Sequence, residues 1–281
     1  MLNENSPAKW RVFGASVCGA SHTQAGTDNQ DAIGWWPETG EGPPLVICVS
    51  DGHGSPKSFR SDIGARLAVS VANETLVAQL GEPAGVQCLE GSSLHELARA
   101  LVSRWTEAVW DDLNKRPFTD AELARLSERP NGQEILLVYG ATLLAVTITD
   151  SCIVYLQLGD GDILSVSKAG RVIRPLPDDD RLLGNETTSL CMPNADREFR
   201  VGLLSSREEL PSLILLTTDG YSNSYRSESD FLKVGSDIFE MIRNSGAEYV
   251  SNNLQSWLEE VSQRGSGDDV TAVIAYCVGL A

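Results

Sequence analysis

The sequence predicts an α+β protein built on antiparallel sheets. Short apolar runs rich in Val, Ile and Thr, bounded by Gly, Pro or Asp, recur along the 281 residues. Helical periodicity falls between groups of these runs rather than after each one, which opposes a doubly wound parallel sheet. Two gaps between neighbouring runs, Thr149-Asp150-Ser151 and Gly159-Asp160-Gly161-Asp162, are short enough for hairpin turns.

The strands predicted in order are Trp10–Cys18, Leu45–Ser50, Ile135–Tyr139, Thr142–Thr149, Cys152–Leu158, Ile163–Ser167, Leu213–Thr218 and Val270–Val278. Ile63–Leu80 is a helix candidate. Leu94, Leu97, Ala98, Leu101, Trp105 and Ala108 recur at helical spacing behind a capping-box pair, Ser93 and Glu96. Val250, Leu254, Trp257, Leu258 and Val261 do the same, and Thr119–Ser127 and Glu228–Arg243 are weaker helices. Pro175–Pro211 is polar and aperiodic and reads as a long surface excursion. With no repeat and no linker, the chain reads as one domain over residues 1–281.

Hydrophobic residues make up 42% and charged residues 22%, a soluble globular composition. No apolar run reaches the roughly 20 residues that span a bilayer. The first residues show neither a basic start nor an apolar stretch, so no secretory signal is expected. A net charge of −17 argues against nucleic acid and anionic membranes as partners. It also means that a site handling phosphate needs local positive charge. The six cysteines form no CxxC pair; Cys48, Cys152 and Cys277 lie in apolar runs and read as reduced core thiols of a cytoplasmic protein.

Carboxylates at strand ends carry the chemical signal. Leu45–Ser50 runs straight into Asp51-Gly52-His53-Gly54, Leu213–Thr218 into Asp219-Gly220, and Asp268-Asp269 lead into the run from Val270. A buried strand fixes its end residue in space, and a buried carboxylate is costly unless it is paired or binds a cation. Divalent cations take several oxygen ligands, carboxylate and backbone carbonyl alike. A single Asp-Gly is usually just a turn, and Asp160-Gly161, between two strands, reads as one. His53 follows a candidate ligand and reads as functional; His22 reads as an ordinary histidine and His95 as half-buried on its helix.

The series Gln30-Asp31-Ala32, Asp51-Gly52-His53-Gly54, Gly140-Ala141-Thr142, Gly159-Asp160-Gly161, Thr217-Thr218-Asp219-Gly220 and Asp268-Asp269-Val270-Thr271 resembles the type 2C metal-dependent protein phosphatases, in their divergent bacterial branch. The resemblance spans about residues 10–278. It implies a four-layer α-β-β-α sandwich and two Mg2+ or Mn2+ ions, with a third left open. Asp51 would bridge the two ions, the Gly52 carbonyl would bind one, and Asp219 and Asp268 would hold the other. Asp31 would orient the attacking water and His53 would protonate the leaving alkoxide. Residues 175–211 would form the flap beside the site. The substrate implied is a phosphorylated protein, with a serine/threonine kinase acting in the opposite direction.

Two positions depart from the pattern. Gly26 stands where many relatives carry a phosphate-gripping arginine, and Gln30 stands where many carry glutamate. Arg60 or Lys57 is the candidate replacement for the phosphate grip. The alternatives to an enzyme of this kind are a pseudophosphatase, with the same fold serving as a regulatory or binding module, and a two-metal nuclease, which the acidic surface disfavours.

Overall fold

The computed structural model describes residues 9–80, 92–177, 187–205 and 208–279. In chain order the strands are β1 (Trp10–Val17), β2 (Ala32–Trp36), β3 (Glu41–Gly42), β4 (Leu45–Ser50), β5 (Leu143–Ile148), β6 (Cys152–Leu158), β7 (Asp162–Val166), β8 (Val172–Ile173), β9 (Arg200–Ser205), β10 (Leu213–Thr217) and β11 (Val270–Cys277). The helices are α1 (Ala20–Ala25), α2 (Ser61–Leu80), α3 (Ser92–Lys115), α4 (Asp120–Leu123), α5 (Gly132–Val138), α6 (Asp219–Ser222), α7 (Glu228–Ser245) and α8 (Ala247–Arg264).

Two antiparallel sheets result, one ordered β3-β1-β11-β10-β7-β8 and the other β2-β4-β5-β6-β9. Three apolar clusters define four layers. Leu45, Ile47 and Val49 of β4 meet Ile214 and Leu216 of β10 between the sheets. Val46 and Cys48, on the other face of β4, pack with Ala68, Leu101 and Trp105 of α2 and α3. Leu213 and Leu215, on the other face of β10, pack with Phe231, Ile238 and Leu258 of α7 and α8. Strands buried on both faces lose the polar-apolar alternation of a half-exposed sheet. That is why these segments read as unbroken apolar runs. Each fully buried Leu or Ile contributes about 1.5–3 kcal/mol.

Several expectations are corrected. The Gly159–Asp162 link is not a hairpin, because β6 and β7 belong to different sheets and the chain crosses between layers there. Ile135–Tyr139 is not a strand. The Asn131 side chain accepts from Glu134 N at 2.9 Å and caps α5, so the apolar run is consumed as a short helix. Ser93 is not the capping residue of α3, because the helix already includes Ser92. Thr119 and Glu122 do form a capping box, on α4. Within 175–211, residues 178–186 and 206–207 lie outside the described residues. The remainder is not all loop, since β9 pairs with β6 along the sheet edge. His95 is exposed, and Cys277 is only partly buried. No helix among the described residues is long and apolar enough to cross a membrane.

Candidate metal centre

Register brings the motifs together. Ala32 faces Ser50, so Asp31 just before β2 and Asp51 just after β4 share one end of their sheet. Thr217 faces both Ala272 and Asp162, so Asp219 after β10 and Asp268-Asp269 before β11 share one end of the other sheet. The Gly159-Asp160-Gly161 crossing joins the two ends. Electrostatic coupling links Asp31, Asp51, Asp160, Asp219, Asp268 and Asp269 into one cluster.

Asp31 is buried, and Thr218 and Thr271 both donate hydroxyl hydrogen bonds to its Oδ2, at 2.8 and 2.6 Å. Burial and the nearby Asp269 and Asp219 charges push its carboxyl up to about 8, against the pull of those two hydroxyls. Asp51 is half-buried as a residue, but desolvation and then the Asp31 and Asp219 charges raise its carboxyl well above the usual range. Asp219, at the start of α6, is raised by burial; a hydrogen bond with Asp51 opposes this, and Asp160 and Asp268 add to it. Asn223 holds Asp219 Oδ2 at 2.9 Å. Among the described residues no lysine or arginine pairs with Asp31, Asp51 or Asp219. Such a cluster takes up either protons or cations.

Further features fit a cation. Gln30 Nε2 donates to Ser61 Oγ at 2.9 Å, while its Oε1 is buried without a partner. Gly52 is squeezed between the Gln30 and Ser61 carbonyls, where a Cβ would approach both to 2.7 Å, so no other residue fits. No donor among the described residues reaches the Gly52 carbonyl, which is therefore free to bind a cation.

His53 N donates to the Gly140 carbonyl at 3.0 Å, and the ring packs so closely that a Cβ on Gly140 would lie 2.3 Å from His53 Cδ2. Burial lowers the His53 pKa from its ordinary value, against the opposing pull of Asp160. The ring Nε2 lies 2.7 Å from Ser189 Oγ.

Arg60 is not available to phosphate. Its Nε donates to Glu122, its Nη1 to Tyr139 Oη and the Arg116 carbonyl, and its Nη2 to Glu122 and the Pro117 carbonyl. All five N–H donors are spent in the interior, and the guanidinium stacks on Phe118. Lys57 is exposed.

Three participants lack a legible sequence signal. Asp160 joins the cluster instead of merely turning the chain. Asp269 accepts from Gly19 N at 2.6 Å and Gln30 N at 2.7 Å, closing the segment that presents Asp31. His22 Nδ1 lies 2.9 Å from Asp269 Oδ1, outside hydrogen-bond geometry, and Nε2 lies 3.7 Å from Asp268 Oδ1. Beside Asp160 opens a cleft of about 510 Å³ lined by Arg174, Arg200, Arg226 and Asn223. Arg174 is engaged there by Asp162 and Glu228.

The family model described as "Protein phosphatase 2C" matches residues 18–259. The chain belongs to the protein phosphatase 2C family. Solved structures of phosphatases of this kind share the fold. The S. agalactiae serine/threonine phosphatase aligns at TM-score 0.60 and 17% identity, over 95% of this chain and 99% of that one. PstP in complex with two manganese ions aligns at TM-score 0.57 and 18% identity, over 96% and 99%. PppA, described as a key regulatory component of T6SS in Pseudomonas aeruginosa, aligns at 0.58 and 19%, over 95% and 97%. No curated protein matches the sequence significantly.

Proposed function

We propose that this protein phosphatase 2C member is an active, metal-dependent phosphoserine/phosphothreonine protein phosphatase. The observation that carries the reading is the cluster of Asp31, Asp51 and Asp219, which no lysine or arginine among the described residues pairs with and whose carboxyls are shifted upward. Two divalent cations, when bound, lower the pKa of a coordinated water towards about 7 and offset charge on the phosphoryl oxygens. Asp51, the Gly52 carbonyl, Asp219 and Asp268 would hold the two ions. Asp31, fixed by Thr218 and Thr271, orients the attacking water. His53 gives a proton to the departing alkoxide. The chain forms one phosphatase domain, and the described residues 187–199 ahead of β9 would belong to its flap.

The substrate class is a phosphorylated protein in the cytoplasm, counteracting a serine/threonine kinase. Mn2+- or Mg2+-dependent hydrolysis of a phosphoserine peptide, abolished by a chelator, is the expected result. Undiminished turnover in excess chelator would overturn the metal assignment. The second reading is a pseudophosphatase. It draws on Gly26, which offers no arginine, and on the closed donor set of Arg60. Tight Mn2+ binding with no turnover of any phosphoester would select it.

A further inference from the structure

Ser189, in the segment between residue 187 and β9, is buried and is not needed to bind cations or phosphate in the reading above. Its hydroxyl has three neighbours. Oγ lies 2.7 Å from His53 Nε2, 3.0 Å from the Ala141 carbonyl oxygen and 3.3 Å from Cys191 Sγ. A serine hydroxyl has one proton to give and two lone pairs to offer. A carbonyl oxygen has no proton, and two oxygens 3.0 Å apart with no proton between them repel. The Ser189 proton therefore goes to Ala141. Burial raises the Cys191 thiol, which stays protonated and can donate to one Oγ lone pair. The remaining lone pair faces His53 Nε2, so that nitrogen must carry a hydrogen.

We propose that Ser189 is a positioning residue that holds His53 as its Nε2–H tautomer and leaves Nδ1 as the atom that exchanges a proton with substrate. The packing agrees. The Cδ2–Nε2 edge of the ring is pressed against Gly140 and Ser189, and Nδ1 is on the opposite side of the ring. This inference rests on the general-acid reading of His53. In the step, the Nδ1–H bond of the imidazolium breaks and an O–H bond forms on the leaving oxygen as its P–O bond breaks. A water forms the new P–O bond and loses its own proton to solvent. The ring is left neutral with hydrogen on Nε2, and solvent then restores the proton on Nδ1. Ser189, tethered to Ala141, does not move in this cycle.

The test is imidazole 15N NMR of the full chain with Mg2+ at about pH 8, above the ordinary imidazole pKa of about 6.5. The chain has three histidines, and the signal missing from His53→Gln identifies the one of interest. The expected wild-type pattern is a protonated Nε2 with a bare Nδ1, shifting in Ser189→Ala towards the Nδ1–H form. Ser189→Ala is also expected to slow a phosphoserine peptide about tenfold more than p-nitrophenyl phosphate, as partial loss of general-acid help worth about 10²–10⁴-fold, with KM and Mn2+ affinity little changed. A bare Nε2 in the wild type overturns the proposal, and so does an unaltered tautomer in Ser189→Ala. Because the wild-type spectrum needs no turnover, it decides the proposal even if phosphatase activity is absent. Absence of activity would instead strike the general-acid reading on which it rests.

Discussion

Asp51 is coupled to Asp31, Asp219 and Asp160 and in the proposed reading is shared by both ions, so its replacement is expected to be the most damaging. Asp51→Asn is expected to abolish two-ion binding in calorimetric Mn2+ titrations, while Asp219→Asn and Asp268→Asn mainly weaken one site. Full two-ion binding by the Asp51 variant would remove the bridging role. His53→Gln is expected to slow a phosphopeptide far more than p-nitrophenyl phosphate, because p-nitrophenolate leaves without a proton. Equal losses on both substrates would point to a structural role. Asp31 gives a pH signature in the metal-free protein. Its folded carboxyl titrates at about 8 rather than at its ordinary 3.8, so the folded state holds a proton that the unfolded chain has already released. The stabilising share is intact below about pH 4 and is lost as pH rises through about 8. The Tm of the metal-free protein is therefore expected to fall from pH 5 to 8, and a flat profile would contradict this. Asp51, Asp219 and Asp268 were legible because each abuts an apolar strand. Asp160 was not, since Asp-Gly between two apolar runs gives the same signal in a hairpin and in a crossing between sheets. His22 and Asp269 were not, because their significance lies in contacts with distant parts of the chain.

Arg60 shows how an element-level role displaces a site-level one. Its fork ties the turn before α2 to α4 through Glu122 and to the loop after α3 through the Arg116 and Pro117 carbonyls. Tyr139 extends the tie to Asp112 of α3 at 2.9 Å. Arg60→Ala is expected to cost about 1.5–3 kcal/mol in denaturant titrations, the range for hydrogen bonds to charged groups. Mn2+ affinity should be unchanged, and a lost metal site with unaltered stability would reverse the assignment. The long strands were legible because both of their faces are buried. β2, with Gly34 and two tryptophans, and β3, two residues long, gave no comparable run. β9 was missed because its edge position leaves it only partly covered. α5 was misread because a short apolar run fits strand and helix alike, and only the Asn131 cap decides between them.

At the scale of the molecule, the carboxylates come from both sheets, Asp31 and Asp51 from one and Asp219 and Asp268 from the other. In the proposed reading, cations shared between them would join the layers at that end. A ligand that binds only the folded state stabilises it by about 2.7 kcal/mol at a hundredfold excess over Kd. Mn2+ is expected to raise Tm, and the gain should shrink in Asp51→Asn. Equal stabilisation of that variant would place the effect at another site. The α+β class with antiparallel sheets was readable from the apolar runs. The packing of the sheets in layers followed only from the resemblance, because nothing local encodes which strands share a sheet.

The hydrogen bonds from Gly19 and Gln30 to Asp269 span 250 and 239 residues of chain. Asp31 reaches Thr271 across 240. Contacts of such sequence separation form late, after the loop-closure entropy has been overcome. A growing polypeptide therefore cannot assemble this centre until residues near 271 have emerged from the ribosome. Its early portion, with Asp31 and Asp51 already made, should neither capture manganese tightly nor hydrolyse anything. Catalytic competence would then appear all at once, when that segment emerges.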